Sequence, residues 1–143
     1  MKINYKYVGI YEEPKMQTDG SAGIDLVNNS ESSFVILPNE SVVIPTGMFI
    51  EIPKGYVGLL FVRSSLGFKQ DLTLSNAVGV IDSDYRGEIK AKIINHSPLT
   101  RIIEKGERFC QLVIIPYLTP ELVKVDELEK TKRNIGGMGS TGK

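Results

Sequence analysis

Apolar and polar residues alternate along this chain in short runs, with a turn former every few positions. Ile3, Tyr5 and Tyr7 alternate with Lys2, Asn4 and Lys6, which is the period of a half-buried strand. Residues 34–37, 42–44, 48–52 and 56–62 are β-rich runs broken by Pro38, Pro45, Pro53 and Gly55. Residues 88–95 alternate well, and residues 109–118 form a longer, more apolar strand. Residues 121–125 could add a last short one. Only residues 64–69 suit a helical turn or two, with serines available to cap it. Such even spacing of strands and turns predicts an all-β sandwich or barrel.

At 143 residues the chain has the size of one domain with a real core. From about Asp126 its character changes: a charged stretch leads into a Gly-, Ser- and Thr-rich end with little to bury. Residues 1–125 therefore read as the β-domain. Residues 126–143 read as a tail that cannot offset its own ordering entropy, mobile until something binds. Lysine plus arginine equals aspartate plus glutamate, 17 each, so no net field attracts nucleic acid. There is neither an apolar run long enough to span a membrane nor a secretory leader. The single cysteine, Cys110, suits a reducing cytosol. The single histidine, His96, argues against His-based hydrolysis and multi-His metal sites, leaving oxygen ligands for any metal.

The most informative segment runs from Gly79 to Glu88. An apolar approach (Ala77 to Ile81) enters a turn with two carboxylates, a tyrosine and an arginine, and leaves as the alternating run Ile89 to Ile93. This reads as a hairpin with Asp82 where the apolar wall meets the turn, a placement that partial desolvation would suit to proton chemistry. By itself the segment reads first as an ordinary Asp-rich turn. Gln111 is a polar residue within an apolar strand and needs a partner. Gly137 to Lys143 matches the start of a P-loop, but no helix follows, so the match fails as a fold.

Five segments line up: Ala22 to Leu26, Arg63 to Gly67, Asn76 to Glu88, Gly106 to Leu112, and Arg133 to Gly142. In order, spacing and content they closely resemble the five motifs of the trimeric dUTP pyrophosphatases, from about residue 20 to the C-terminus. The resemblance implies a jelly-roll-like β-barrel homotrimer that hydrolyses dUTP to dUMP and pyrophosphate with Mg²⁺, in three sites built between subunits. It implies that Asp25, at a strand start, holds Mg²⁺ through water. Arg63, Ser64 and Ser65 would contact phosphates, and Gln111 the α-phosphate. Asn76, Gly79, Val80, Ile81 and Lys90 would form walls that read uracil mainly by main-chain groups. Tyr85 would lie under the deoxyribose, and Asp82 would accept a proton from the attacking water. Arg133 would reach the γ-phosphate, with Gly139, Ser140 and Thr141 wrapping the phosphates. Where most of the family has an aromatic that stacks on uracil, this chain has Met138, and Asn134 and Ile135 replace the usual small pair after the arginine. Both changes predict a weaker lid, not a lost activity.

Two other readings stay open on the sequence. A dCTP deaminase shares the fold but needs a glutamate in the central hairpin, where this chain has Asp82. A binding module, a β-barrel trimer that regulates a protein partner with its catalysis vestigial, would account for the altered tail, and both could hold if nucleotide-ordered tail states are presented to that partner. Nothing in the residues names that partner.

Overall fold

The computed structural model describes residues 1–137, which form eleven strands and one short helix. The strands are β1 (Tyr5–Tyr7), β2 (Gly23–Val27), β3 (Phe34–Ile36), β4 (Ser41–Pro45), β5 (Met48–Ile50), β6 (Tyr56–Val62), β7 (Leu72–Leu74), β8 (Gly79–Ile81), β9 (Lys90–Asn95), β10 (Arg101–Ile103) and β11 (Arg108–Pro116), with α1 (Ser64–Gln70) between β6 and β7. They pair antiparallel in four small sheets, ordered β2-β11-β6-β8, β4-β9-β7, β1-β5 and β10-β3.

Burial follows the alternation that predicted these strands. In β9, Ala91, Ile93 and Asn95 are buried while Lys90 and Lys92 face out. Leu60 and Leu112 from the first sheet and Ile44, Leu74 and Ile93 from the second belong to one core cluster. Two fully buried amides tie β3 and β10 onto it. Asn95 donates to the Ile36 and Leu99 carbonyls at 2.9 and 2.8 Å, and Asn28 donates to those of Ile103 and Glu104 at 3.3 and 3.1 Å. Every buried side-chain polar atom among the described residues has a partner, as a stable interior requires.

The structure departs from the sequence reading in four places. Strands β7 and β10 are three residues each, too short for alternation to show, and their partners define them. Residues 121–125 form no strand, because nothing among the described residues pairs with them. Helix α1 lacks the serine cap: Arg63 sits at the N-cap in extended conformation with no side-chain bond, so the Ser64 and Ser65 hydroxyls are not used for capping. Finally, the two arms of the central turn do not pair with each other. β8 pairs with β6 and β9 with β4 and β7, so the presumed hairpin crosses between two sheets.

Candidate active site

That crossing creates the first cavity. Because β8 has a strand partner on one edge only, its other edge faces the start of β9 across a gap of about 300 Å³. Val80, Ile81, Asp82, Tyr85, Glu88, Ile89 and Lys90 line it. A flat, hydrogen-bonding ring placed edge-on in such a gap could take main-chain bonds that the strands do not give one another. The wall on the β9 side is anchored from a corner. The Gly47 N–H donates to Glu88 Oε1 (2.9 Å), Thr46 Oγ1 to the Ile89 carbonyl (2.6 Å), and the Ile89 N–H to the Met48 carbonyl (2.8 Å). Gly47 has φ +69°, a left-handed conformation that glycine adopts without cost.

The turn itself is stapled from within. Arg86 Nη1 donates to the Ser83 and Tyr85 carbonyls at 2.8 and 3.0 Å, the Tyr85 N–H donates to the Asp82 carbonyl at 3.2 Å, and the Tyr85 hydroxyl to the Glu88 carbonyl at 2.9 Å. A Cβ on Gly87 would stand 2.3 Å from the Tyr85 hydroxyl, so glycine there is what allows the ring to fold back over the turn. Asp82 lies at the edge of the gap, but it is exposed and not half-inside the apolar wall. A single chain does not desolvate it. Its other side opens on a broad trough shared with Lys2, Lys54, Asp84, Arg86 and Tyr117.

The second cavity, about 320 Å³, is polar and lies on the β2-β11-β6 surface. Gln17, Ser21, Ala22, Gly23, Asp25, Arg63, Ser64, Gln111 and Val113 line it. Register explains the grouping: Gln111 pairs directly with Asp25 on one side and with Phe61 on the other, and Arg63 follows the end of β6. Asp25 sits in the middle of β2, not at its start, and is 9% exposed. Its Oδ2 accepts from Arg108 Nη1 at 3.1 Å and lies 3.5 Å from Arg63 Nε, while Oδ1 carries neither contact. Cys110, next to Gln111, offers no nucleophile. Burial pushes its thiol well up, the Asp25 carboxylate adds to the effect, and the protonated form is inert.

The other described candidates, Lys90 apart, fall outside both cavities. Ser65 is on α1 and does not line the cavity, and Asn76 is exposed in the turn after β7. Gly79 belongs to β8, where a Cβ would meet Leu60 Cβ at 2.9 Å. Lys90 lines the first cavity, with Nζ 3.5 Å from Glu88 Oε2. Arg133 lies after the last strand, its Nε donating to the Gly136 carbonyl at 3.0 Å. Met138, Gly139, Ser140 and Thr141 lie outside the described residues. Sequence reasoning missed Glu88 as an anchor and Arg108 as the partner of Asp25. The adjacent apolar pair Phe109 and Cys110, which breaks the alternation of β11, was the available signal for Arg108.

A slot for a flat ring and a separate cavity with cationic, hydroxyl and amide groups have the make-up of a nucleotide-binding β-protein. The dUTPase family profile matches residues 11–142. A deoxyuridine 5'-triphosphate nucleotidohydrolase of Finegoldia magna is 45% identical over 129 residues, 90% of each chain. The Staphylococcus bacteriophage 80alpha dUTPase with dUPNHPP superposes with TM-score 0.83 at 30% identity, covering 99% of this chain and 98% of that one. A mutant dUTPase from phage phi11 of S. aureus, solved for the coordination of a structural Mg(II) ion, gives 0.81 at 28% identity over 91% of this chain and 100% of that one. The chain belongs to the dUTPase family.

Proposed function

We propose that the chain is a Mg²⁺-dependent dUTP diphosphatase, releasing dUMP and pyrophosphate by attack of water at the α-phosphorus. The observation that carries this reading is the division of the candidate residues into a ring-sized slot bearing Asp82 and an anion cavity bearing Asp25, Arg63, Ser64 and Gln111. The slot takes uracil. Its main-chain donors and acceptors suit uracil's two carbonyls and ring N–H, and cytosine would leave them unpaired at about 1–3 kcal/mol per group. Asp82 takes the proton from the attacking water as the phosphorus–oxygen bond forms, and the bond to the pyrophosphate oxygen breaks in line. Arg63, the Ser64 hydroxyl and the Gln111 amide hold and neutralise the phosphates, and Arg133 with the tail covers them.

The residues fit Mg²⁺ held indirectly. Among the described residues there is no group of three or more His, Cys, Asp and Glu side chains that could cage an ion. Asp25, with Oδ2 engaged by guanidinium groups, can offer Oδ1 to the water shell that Mg²⁺ tends to retain beside phosphates. Bound there, the ion would supply charge neutralisation on the phosphate oxygens.

Spacing supports assembly as a homotrimer with sites between subunits. Asp25 lies in β2 and Asp82 directly follows β8 of the same sheet, so the two are separated by three strand spacings, roughly 14 Å, and about four residues of register, roughly 13 Å along β6. No phosphorus can be within hydrogen-bond reach, about 3 Å, of groups held so far apart. A second copy that brings its slot to this chain's cavity would close that distance. After Pro116 the chain exposes Leu118 and Leu122, each more than 90%, together with Val123 and Leu128, an apolar arm that needs another surface. The buried lone thiol accords with a cytoplasmic setting.

Pyrophosphate release measured across the deoxynucleoside triphosphates, with and without Mg²⁺, tests the reading. Turnover of dUTP alone, lost on chelation, is the expected result; ammonia release from dCTP would replace it with a deaminase. A subtler test uses Gly23, whose added Cβ would stand 2.7 Å from Gln111 Oε1 and 3.2 Å from Gln111 Cβ. Gly23→Ala should push the Gln111 amide off its phosphate contact and raise KM for dUTP roughly tenfold, the worth of one charge-assisted hydrogen bond. Steady-state kinetics that leave KM unchanged would remove Gln111 from the site.

A further inference from the structure

We propose that Arg108 is a positioning residue of the anion cavity: its guanidinium holds the Asp25 carboxylate and, by neutralising it, leaves Arg63 available to the substrate's phosphates. This rests on the dUTP-hydrolysing reading and gives a role to a residue which that reading does not use.

In a regular strand with Gln111 toward the cavity and Cys110 toward the core, Arg108 would also point into the core. β11 avoids this with a bulge. Its pairing to β2 shifts between Arg108, opposite Val27, and Cys110, opposite Leu26, so that Phe109 is the extra residue. Phe109 and Cys110 are both fully buried as a result, and Arg108 emerges beside Asp25. Re-aiming one side chain is a recognised use of such a bulge.

The contacts form a closed set. Arg108 Nη1 is 3.1 Å from Asp25 Oδ2, Arg63 Nε is 3.5 Å from the same oxygen, and Arg63 Nη1 donates to the Arg108 carbonyl at 3.3 Å. The shorter contact to the carboxylate is that of Arg108. A carboxylate as buried as Asp25 requires a cationic or hydrogen-bonding partner. Without Arg108, Arg63 alone would serve it, and two arginines against one aspartate would become one against one. The cavity would lose its net positive charge, and the remaining guanidinium would be drawn to Asp25 instead of to an incoming anion.

The test is calorimetric binding of a non-hydrolysable dUTP analogue, with and without Mg²⁺, to the full-length parent, Arg108→Gln and Arg108→Lys, alongside kinetics and melting temperature. Arg108→Gln is expected to weaken analogue affinity and raise KM about 10–100-fold, the usual loss when a supporting partner is removed. The strengthening that Mg²⁺ gives the parent should shrink as well, with kcat falling less than KM rises. Arg108→Lys, which keeps the charge but not the fork, should recover only part of the affinity. Should the glutamine variant not fold, the lysine variant decides: parent-like affinity and Mg²⁺ response overturn the proposal. A lower melting temperature with unchanged KM in either variant overturns it too. A parent that fails to bind the analogue sinks the dUTP reading and this inference together; a parent that binds while the variants match it sinks this inference alone.

Discussion

Asp82→Asn leaves binding of a dUTP analogue within a few-fold of the parent and lowers turnover by about 10²–10⁴, the range carried by a positioned general base. The substitution is nearly isosteric and removes only the capacity to take a proton. The turn survives it, because the carbonyl that accepts the Tyr85 N–H is main chain and the Arg86 staples reach the Ser83 and Tyr85 carbonyls. Among the described residues Asp82 forms no ion pair, so no partner is orphaned and the melting temperature should not move. Asp84→Asn is the matched control, since Asp84 lines the trough and not the slot. Single-turnover pyrophosphate release separates chemistry from product release. Equal losses from the two variants would remove Asp82 from its role.

Chains carrying Asp82→Asn and chains carrying Arg63→Gln, each nearly inactive by itself, recover activity when co-expressed. The reason is geometric. If a working site takes its slot from one copy and its cavity from another, some mixed sites combine an intact Asp82 with an intact Arg63. Random co-assembly of equal amounts would make such sites about a quarter of the total, since each copy in a symmetric ring offers the same two surfaces. The readout is dUTP turnover per site in the co-purified mixture, compared with the two variants mixed after separate purification. A mixture no more active than its better component would place both halves of the site in one chain, against the separation of Asp25 and Asp82 along the sheet. The same result would remove the main support for intersubunit sites.

Much of the fold was legible because alternation reports which side of a strand meets a core. β4, β6, β9 and β11 fall within two residues of the runs that predicted them, and the burial of Ala91, Ile93 and Leu112 follows their period. Strands β7 and β10 were not legible: three residues hold too little period, and their pairing with β9 and β3 is a long-range fact. Of the candidate site, the acidic turn at Asp82 and the polar Gln111 stood out by chemistry alone. Arg108 did not, because a one-residue bulge reverses the side that simple counting assigns.

Residue types and their order along the chain determined by themselves that this is an all-β protein and that its central turn carries two carboxylates, Asp82 and Asp84. These are local matters of period, turn chemistry and charge. Only the tertiary structure decided that the arms of that turn join different sheets and leave a gap between them, that Arg108 shares Asp25 with Arg63, and that slot and cavity lie on separate parts of one chain. Each of those depends on register between segments distant in sequence, and register is set by how whole faces pack, which no single segment encodes.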